Sequence, residues 1–312
     1  MKVLLALCVV AAGCGSKSDG EKSARPAQPM KDAATSRAPE RIVVTSVEIK
    51  VVDPSSGPVR EVYPRELASK IGATLTASDW FVGNEADAVG FTPRRAVVEM
   101  LVGYSVVEEG SDGSPAVIAV IEATVRFEDG VASLQPQMNI LAEREFTSKE
   151  RGNLDGIVAE HVERAAADAS AALILKEKIR VGPPDAAITG LRSPDLDLRA
   201  WALAVIGDRH LTEAFDQVVA SLQSERDEER DAAIGALLSM RDPRAVGPLT
   251  RLAEFGDHGL MRRVIDAVAT LGGDEAQDYL EFVASGHPDD DIKRQAAEAL
   301  RRLERRVARQ KE

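Results

Sequence analysis

The C-terminal half of the chain is organised around one stretch that occurs four times. It reads LRAWALA at 198–204, ERDAAIGAL at 229–237, MRRVIDAV at 261–268 and KRQAAEAL at 293–300. Its arginines, Arg199, Arg230, Arg262 and Arg294, are separated by 31, 32 and 32 residues. A fixed period of this length is typical of stacked supersecondary units. The sequence therefore predicts an all-helical repeat region over 183–308, with second helices at 211–222, 243–254 and 274–284.

Two further patterns connect these copies to a known family. Asp227 precedes Arg230 and Asp291 precedes Arg294 in an acid–x–x–Arg–x–x–Ala pattern, and DPRAVGPL follows at 242–249. These patterns resemble the short HEAT-like repeats of phycobilisome lyases. The resemblance implies an α-solenoid whose second helices line a concave surface. A solenoid offers a surface and not a chemistry, so the fold alone names no reaction.

Polar residues on the second helices are the candidate contacts with a partner. We single out Asp216, Arg244, Arg251 and Asp278, whose mixed charges do not select one kind of partner. The repeated arginines have two interpretations: a ligand-binding ladder, or pairing of each arginine with an acid one turn earlier. The last helix carries Arg301, Arg305 and Arg309 at four-residue spacing. This face would contact anionic lipid or an acidic partner, or it caps the last repeat.

The preceding segment, 41–180, predicts a small α+β domain. β-branched runs at 41–52, 97–107 and 116–127 are typical of strands, and 135–146 is a fourth candidate. Helical spacing marks 64–76 and 149–179. This order predicts a small antiparallel sheet with helices on one face. By element order alone, it is similar to the N-terminal domain of the translocation protein TolB.

The segment 78–93 has an unusual composition, with aromatic residues among glycines and acids. Trp80 and Phe81 there are candidate contact residues of a binding loop. The alternative is a short edge strand over 80–82 whose aromatic side chains lie in the core.

The N-terminal residues predict a targeting signal. A lysine, the apolar run 3–12 and the small residues 11–13 read as a secretory signal peptide over 1–13, too short to span a bilayer. Cys14 follows at once, which resembles the bacterial lipobox, although Ala11 stands where leucine is usual. Ordinary signal cleavage is the alternative. The resemblance implies a triacylated Cys14, and Gly15 after it favours the outer membrane, facing the periplasm. Residues 14–40 predict a disordered tether.

Composition argues against several classes of function. Asp and Glu outnumber Lys and Arg by 51 to 39, which argues against nucleic acid as a partner. Nucleotide-binding, serine-hydrolase and zinc-protease motifs are absent from the sequence. His258 beside Asp257 and His287 near Asp289 are weak metal candidates, because such acids also cap helices. We predict no catalytic residue, no metal and no cofactor.

Together these features predict a non-enzymatic, membrane-anchored lipoprotein. Its HEAT-like repeats would bind an unidentified protein of the cell envelope. The alternative is an accessory lyase or chaperone-like protein that acts on a cofactor or a client. A lyase would need a thiol or a polar pocket aimed at its cofactor, and the mature chain would hold no cysteine except the lipidated one.

Overall fold

A five-stranded sheet with helices forms the first part of the described chain. The computed structural model describes residues 40–52, 62–131, 133–253 and 257–311. Its elements in this part are β1 (Glu40–Val51), α1 (Pro64–Thr76), β2 (Phe81–Val82), β3 (Thr92–Val107), β4 (Ala116–Phe127), β5 (Gln137–Glu145) and α2 (Leu154–Val181). The signal peptide 1–13, Cys14 and the tether 14–40, except for Glu40, lie outside the described residues.

The sheet is mixed, so the prediction of an antiparallel sheet was wrong for half of it. Its strand order is β2-β1-β3-β4-β5, and β1 runs parallel to both β2 and β3. The β3–β4 and β4–β5 pairs are antiparallel. The physical reason is the connection after β1. Helix α1 returns the chain to the end where β1 began, so the next strand runs in the same direction. The short turn between β3 and β4 instead reverses the chain.

Helices α1 and α2 cover one face of the sheet. Alternate residues of β3 and β4, such as Val98 and Ile121, are fully buried there with Ile71 of α1 and Val158 of α2. The other face carries side chains that are mostly half-buried on β3 and exposed on β5, among them Leu141 of this edge strand. Such one-sided burial follows from the period-two alternation of strand side chains.

The second part of the described chain is helical. Its helices are α3 (Pro184–Gly190), α4 (Leu196–Asp208), α5 (Phe215–Ser221), α6 (Asp227–Met240), α7 (Val246–Leu252), α8 (His258–Leu271), α9 (Asp274–Gly286) and α10 (Asp290–Lys311). The four copies of the repeated stretch lie on α4, α6, α8 and α10. Each of these helices contacts the next one in the series. Short 3₁₀ turns precede α5 and α7, so those second helices are shorter than predicted.

Aspartates begin three of the four repeated helices. Asp195, Asp257 and Asp289 accept backbone N–H bonds at the N-termini of α4, α8 and α10, over 2.8–3.0 Å. Each such cap stabilises its helix by about 1 kcal/mol. Helix α6 differs, because its N-terminal neighbour is Arg226 and no side chain caps it. The acids beside His258 and His287 therefore have a structural role in starting helices.

The sheet and the helical part are joined in one compact unit, Ala38–Glu312. Helix α2 packs against β4 and β5 on one side and contacts α4 on the other. The indole nitrogen of Trp201 donates a hydrogen bond of 2.9 Å to the carbonyl of Lys176. The Lys176 ammonium is buried and pairs with Asp197 at 2.5 Å. These contacts connect the predicted domains 41–180 and 183–308.

Candidate interaction surface

The exposed side chains of α5, α7 and α9, together with the 3₁₀ turn Pro243–Ala245 that precedes α7, form a surface that we call the second-helix face. Arg244 is its best-held cation. The guanidinium donates to both oxygens of Asp242, at 2.6 Å for the shortest bond, and lies 4.2 Å from the centre of the Phe215 ring. Asp242 is itself nearly buried, and the bonds from Arg244 lower its carboxyl pKa. A fixed, exposed cation backed by an aromatic ring is suited to recognising a carboxylate.

The other predicted contacts on this face are also exposed. Asp216 is close enough to Arg244 to raise the pKa of its guanidinium, although the Asp242 bond has the larger effect. Gly247 lies between two charged groups on this face. A Cβ added to it would be 2.9 Å from the Glu275 carboxylate and 3.4 Å from the Arg251 guanidinium. The structure thus brings Asp216 close to Arg244, and Arg251 close to Glu275.

Asp278 and two aromatic residues lie on α9. Asp278 is exposed, and within the described part of the chain it forms no ion pair. The Phe282 side chain is 59% exposed, whereas Tyr279 is half-buried and donates a hydrogen bond to Met261 Sδ at 3.3 Å. Burial raises the pKa of the Tyr279 hydroxyl to about 12. The hydroxyl therefore stays protonated, and α9 presents one exposed ring next to an unpaired carboxylate.

A groove of about 460 Å³ lies between the first helix pairs and reaches α5. Arg199 and Glu229 line it and form a two-bond ion pair of 2.9 and 3.0 Å, which lowers the pKa of Glu229. The side-chain oxygen of Gln217 is buried in the same lining and has no hydrogen-bond partner among the described residues. An unsatisfied buried acceptor is available to a donor on a bound chain.

Two of the four repeated arginines follow the simpler interpretation, and Arg262 forms no ion pair with a described residue. Arg230 pairs with Asp227 and Arg294 with Asp291, each one turn earlier, as the acid–x–x–Arg pattern predicts. Arg199 differs, because its partner Glu229 lies on the next repeated helix. The sequence missed this pair, since no acid stands three residues before Arg199.

Charged pairs also link successive repeated helices on the surface away from the second helices. Asp231 of α6 pairs with Arg263 of α8 at 2.7 Å. Asp266 of α8 pairs with Arg302 of α10 at 2.7 Å. Asp231 and Arg263 lie 32 residues apart, which is one period and is the signal that could have identified their pair, whereas Asp266 and Arg302 lie 36 residues apart. Both pairs are exposed, so each contributes little to stability.

The arginines of the last helix, α10, are divided between its two predicted roles. Arg302 bonds to α8, and Arg306 donates to the carbonyl of Ala269 at 2.8 Å, which is what a cap on the last repeat requires. Arg301, Arg305 and Arg309 are exposed and pair with no described residue. These three arginines therefore remain available to bind an anionic partner.

Trp80 and Phe81 do not form an exposed contact loop. Phe81 lies in the edge strand β2 and is fully buried, and Trp80 is half-buried against the same core. This placement matches the alternative interpretation, a short edge strand whose aromatic side chains pack inward. The Phe81 side chain is therefore removed from the candidate contact residues. A strand of two residues is too short for the alternation of apolar and polar side chains to show, so the sequence could not distinguish an edge strand from a contact loop.

A buried charge cluster at the end of α2 was not predicted. Arg180 donates two bonds of 2.7 Å to Glu177, which is fully buried, and forms an ion pair of 3.0 Å with Glu40 of β1. The Phe127 ring lies between Arg180, at 5.0 Å, and Arg94, at 3.6 Å. Burial raises the pKa of Glu177, and Arg180 opposes that rise. These groups hold β1, β3, β4 and α2 together, and none of them lines the groove described above.

Two histidines meet between the last repeats. The rings of His258 and His287 have centres 5.9 Å apart, and His258 lies 3.7 Å from the Asp289 carboxylate. His287 is fully buried, and its Nδ1 accepts a bond from the backbone of Asp289. In the residues that the structure describes, no group of three or more His, Cys, Asp or Glu side chains is arranged to hold a metal ion.

Comparisons with known proteins bear on the helical part. None of the described helices is both long enough and apolar enough to cross a membrane. The chain has no match among curated proteins. A family model described as HEAT repeats matches residues 218–301, from within α5 to within α10. The helical C-terminal region is thus similar to HEAT repeats, which suggests a protein-interaction or scaffold role.

Proposed function

We propose that this protein is a non-enzymatic scaffold that binds another protein through the second-helix face. We further propose that its repeats stack as a solenoid of the short HEAT-like type. The observation that carries the proposal is a pair of exposed side chains on α9. Asp278 forms no ion pair with a described residue, and the Phe282 ring, one turn later, is 59% exposed. Arg244 adds an exposed cation that its ion pair with Asp242 holds in place.

The partner that fits this face is a protein segment with both signs of charge and an apolar anchor. Arg244 is suited to bind a carboxylate, Asp278 is suited to bind a cation, and Phe282 offers an exposed aromatic ring. Aromatic residues and arginine are the side chains that most often dominate binding energy at interfaces. The charges favour correct orientation and fast association more than affinity.

The anchoring proposal rests on the sequence alone. We infer that the signal peptide 1–13 is removed, that Cys14 carries the lipid, and that 14–40 is a tether in the periplasm. Several acyl chains give stable attachment where one chain gives reversible binding. The outer membrane follows from Gly15. The scaffold would then act beside a bilayer of the cell envelope.

Binding is tested with Arg244→Glu, whose matched control is Arg263→Glu on α8. Both changes reverse one exposed arginine in the same helical region. Tagged variants are cross-linked in envelope membranes and the adducts are compared by mass spectrometry. Arg244→Glu is expected to lose the main adduct, because its charge then repels the partner carboxylate, whereas Arg263→Glu keeps it. Equal adducts from both variants would contradict the use of this face.

Anchoring is tested separately with the full-length protein and a Cys14→Ala variant. The wild-type protein is expected in the detergent-rich phase of a detergent partition, and Cys14→Ala in the aqueous phase. Recovery of the wild-type protein in the aqueous phase would overturn the lipid anchor. That result would leave the second-helix face to be judged by its own experiment.

A further inference from the structure

Strand β5 is a nine-residue edge strand. It spans Gln137–Glu145, pairs with β4 and with no other strand of the described residues, and is the last strand of the sheet. The other edge strand, β2, has two residues. Exposed strand edges template pairing with another chain unless they are covered, interrupted or charged against it. No proline interrupts β5, and its central side chain, Leu141, is 76% exposed.

The hydrogen-bond pattern shows which backbone groups of β5 are free. The carbonyl of Pro136 accepts from Val125, and the N–H of Phe146 donates to Pro115, so even-numbered residues bond to β4. Successive residues of a strand point their backbone groups to opposite edges. The N–H and C=O groups of residues 139, 141, 143 and 145 therefore point away from the sheet. At residue 137, the carbonyl already accepts from Lys176 at 2.5 Å.

The outward groups are self-complementary about Leu141, which is the midpoint of β5. A two-fold axis there would pair antiparallel strands through residues 139–143, the part of β5 whose outward backbone groups are free. Leu141 would face its own copy, and Asn139 would face Glu143. No like charges then stand directly opposite, whereas an axis at residue 143 would place two glutamates together. Asn139 is exposed and has no partner among the described residues, so its amide can donate to Oε2 of Glu143, whose Oε1 already accepts from the N–H of Ser111 at 2.7 Å.

We propose that two copies of this chain associate through β5 to form one continuous ten-stranded sheet. The occupant of the free edge is a second copy, held by main-chain bonds at residues 139, 141 and 143 and by the Leu141 pair. A C₂ interface needs a self-complementary patch, and this edge provides one. The half-buried Ile118 and the exposed Val120 of β4 extend the apolar surface beside Leu141.

The association is tested by sedimentation velocity of the full chain with Cys14→Ala, from about 1 to 100 μM. The expected result is a concentration-dependent dimer. Leu141→Lys is expected to weaken the dimer about tenfold or more, because two lysines then face each other across the axis. Val89→Lys is the matched control: it adds the same charge at another exposed apolar residue, in the loop between β2 and β3 at the opposite edge of the sheet, and should keep the dimer.

A charge swap tests the position of the axis. Mixing Leu141→Lys with Leu141→Glu is expected to restore dimers, because only a pairing that joins residue 141 to its own copy turns this mixture into an attraction. Asn139→Pro removes an outward N–H while leaving every β4 bond intact, so it should weaken the dimer and preserve the fold. Circular dichroism confirms folding of each variant.

Amide hydrogen exchange gives an independent measurement. Exchange at residues 139, 141 and 143 should slow as protein concentration rises, while exchange at 140 and 142 is already slow through bonds to β4. Three results would overturn the proposal: a monomer throughout the concentration range, a dimer unaffected by Leu141→Lys, or a charge-swap mixture that remains monomeric. Protection by an extended peptide of another protein, with this chain monomeric, would identify a different occupant and likewise overturn it.

Discussion

Replacing Arg180 with methionine should destabilise the protein by about 3–5 kcal/mol at neutral pH. Arg180 is the main partner of Glu177, which is fully buried and receives two bonds of 2.7 Å from it. Methionine fills a similar volume but leaves that carboxylate without its counter-charge. The cost of an unpaired buried charge is much larger than the net gain from a buried ion pair. Urea unfolding followed by circular dichroism measures the loss.

The sign of the pH dependence gives a stricter test. The pKa of Glu177 is raised in the folded protein, mainly by burial, so protonation of this group favours the folded state. The stability that protonated Glu177 contributes is fully present below the pKa of this group in the unfolded chain. It is lost as the pH rises through the pKa of the group in the folded protein. Removing Arg180 takes away a group that lowers this pKa, and the pKa therefore rises further. The difference between wild type and Arg180→Met should shrink as the pH falls from neutral toward 5.

Two controls separate this mechanism from a general effect of losing an arginine. Arg164→Met removes an exposed arginine from the same helix, where it pairs with Glu160, and should cost at most about 0.5 kcal/mol. Adding Glu177→Gln to Arg180→Met removes the unpaired charge and should recover part of the loss. A loss below about 1 kcal/mol for Arg180→Met, or one that stays constant with pH, would refute the reasoning.

Three further predictions concern the helical region, and unfolding experiments check each of them. Gly207→Val should cost about 1–3 kcal/mol of unfolding free energy, because a Cβ there lies 3.0 Å from the backbone of Ala236. Its counterpart Gly235→Ala has open space around it and should instead stabilise α6 by about 0.5–1 kcal/mol. Trp201→Phe should cost about 1 kcal/mol by losing the hydrogen bond to Lys176, and an unchanged midpoint would refute this. Arg199→Met should remove stability that is present above the ordinary carboxyl pKa and is lost as the pH falls through the lowered pKa of Glu229. A difference from wild type that persists in acid would contradict that pairing.

The repeat period was sufficient to predict the helical region, because its signal recurs at a fixed distance in four copies. The same copies predicted the Arg230–Asp227 and Arg294–Asp291 pairs, which are local in sequence. The Arg199–Glu229 pair joins two copies, and no single copy contains its signal. Repeats thus reveal contacts within a unit more readily than contacts between units.

The sheet was predicted less well. β-branched runs identified three strands, and 135–146 was a fourth candidate, but alternation within a strand carries no information on the direction of its neighbour. The parallel pairing of β1 with β3 depends on the path through α1. The charge cluster around Glu177 unites residues from β1, β3 and α2, so no local pattern could predict it. Phe81 shows the same limit, because its burial depends on which strand lies beside β2.

The central claim is that the second-helix face binds a protein beside a membrane, and site-specific photo-cross-linking in living cells tests it most directly. A photoreactive residue replaces Asp278 on α9 in one variant and Arg263 on α8 in another, each in the full chain. The account predicts a discrete adduct from position 278, recovered with the membrane fraction, lost with Arg244→Glu and absent from position 263. Adducts of equal yield from both positions, or from neither, would contradict it.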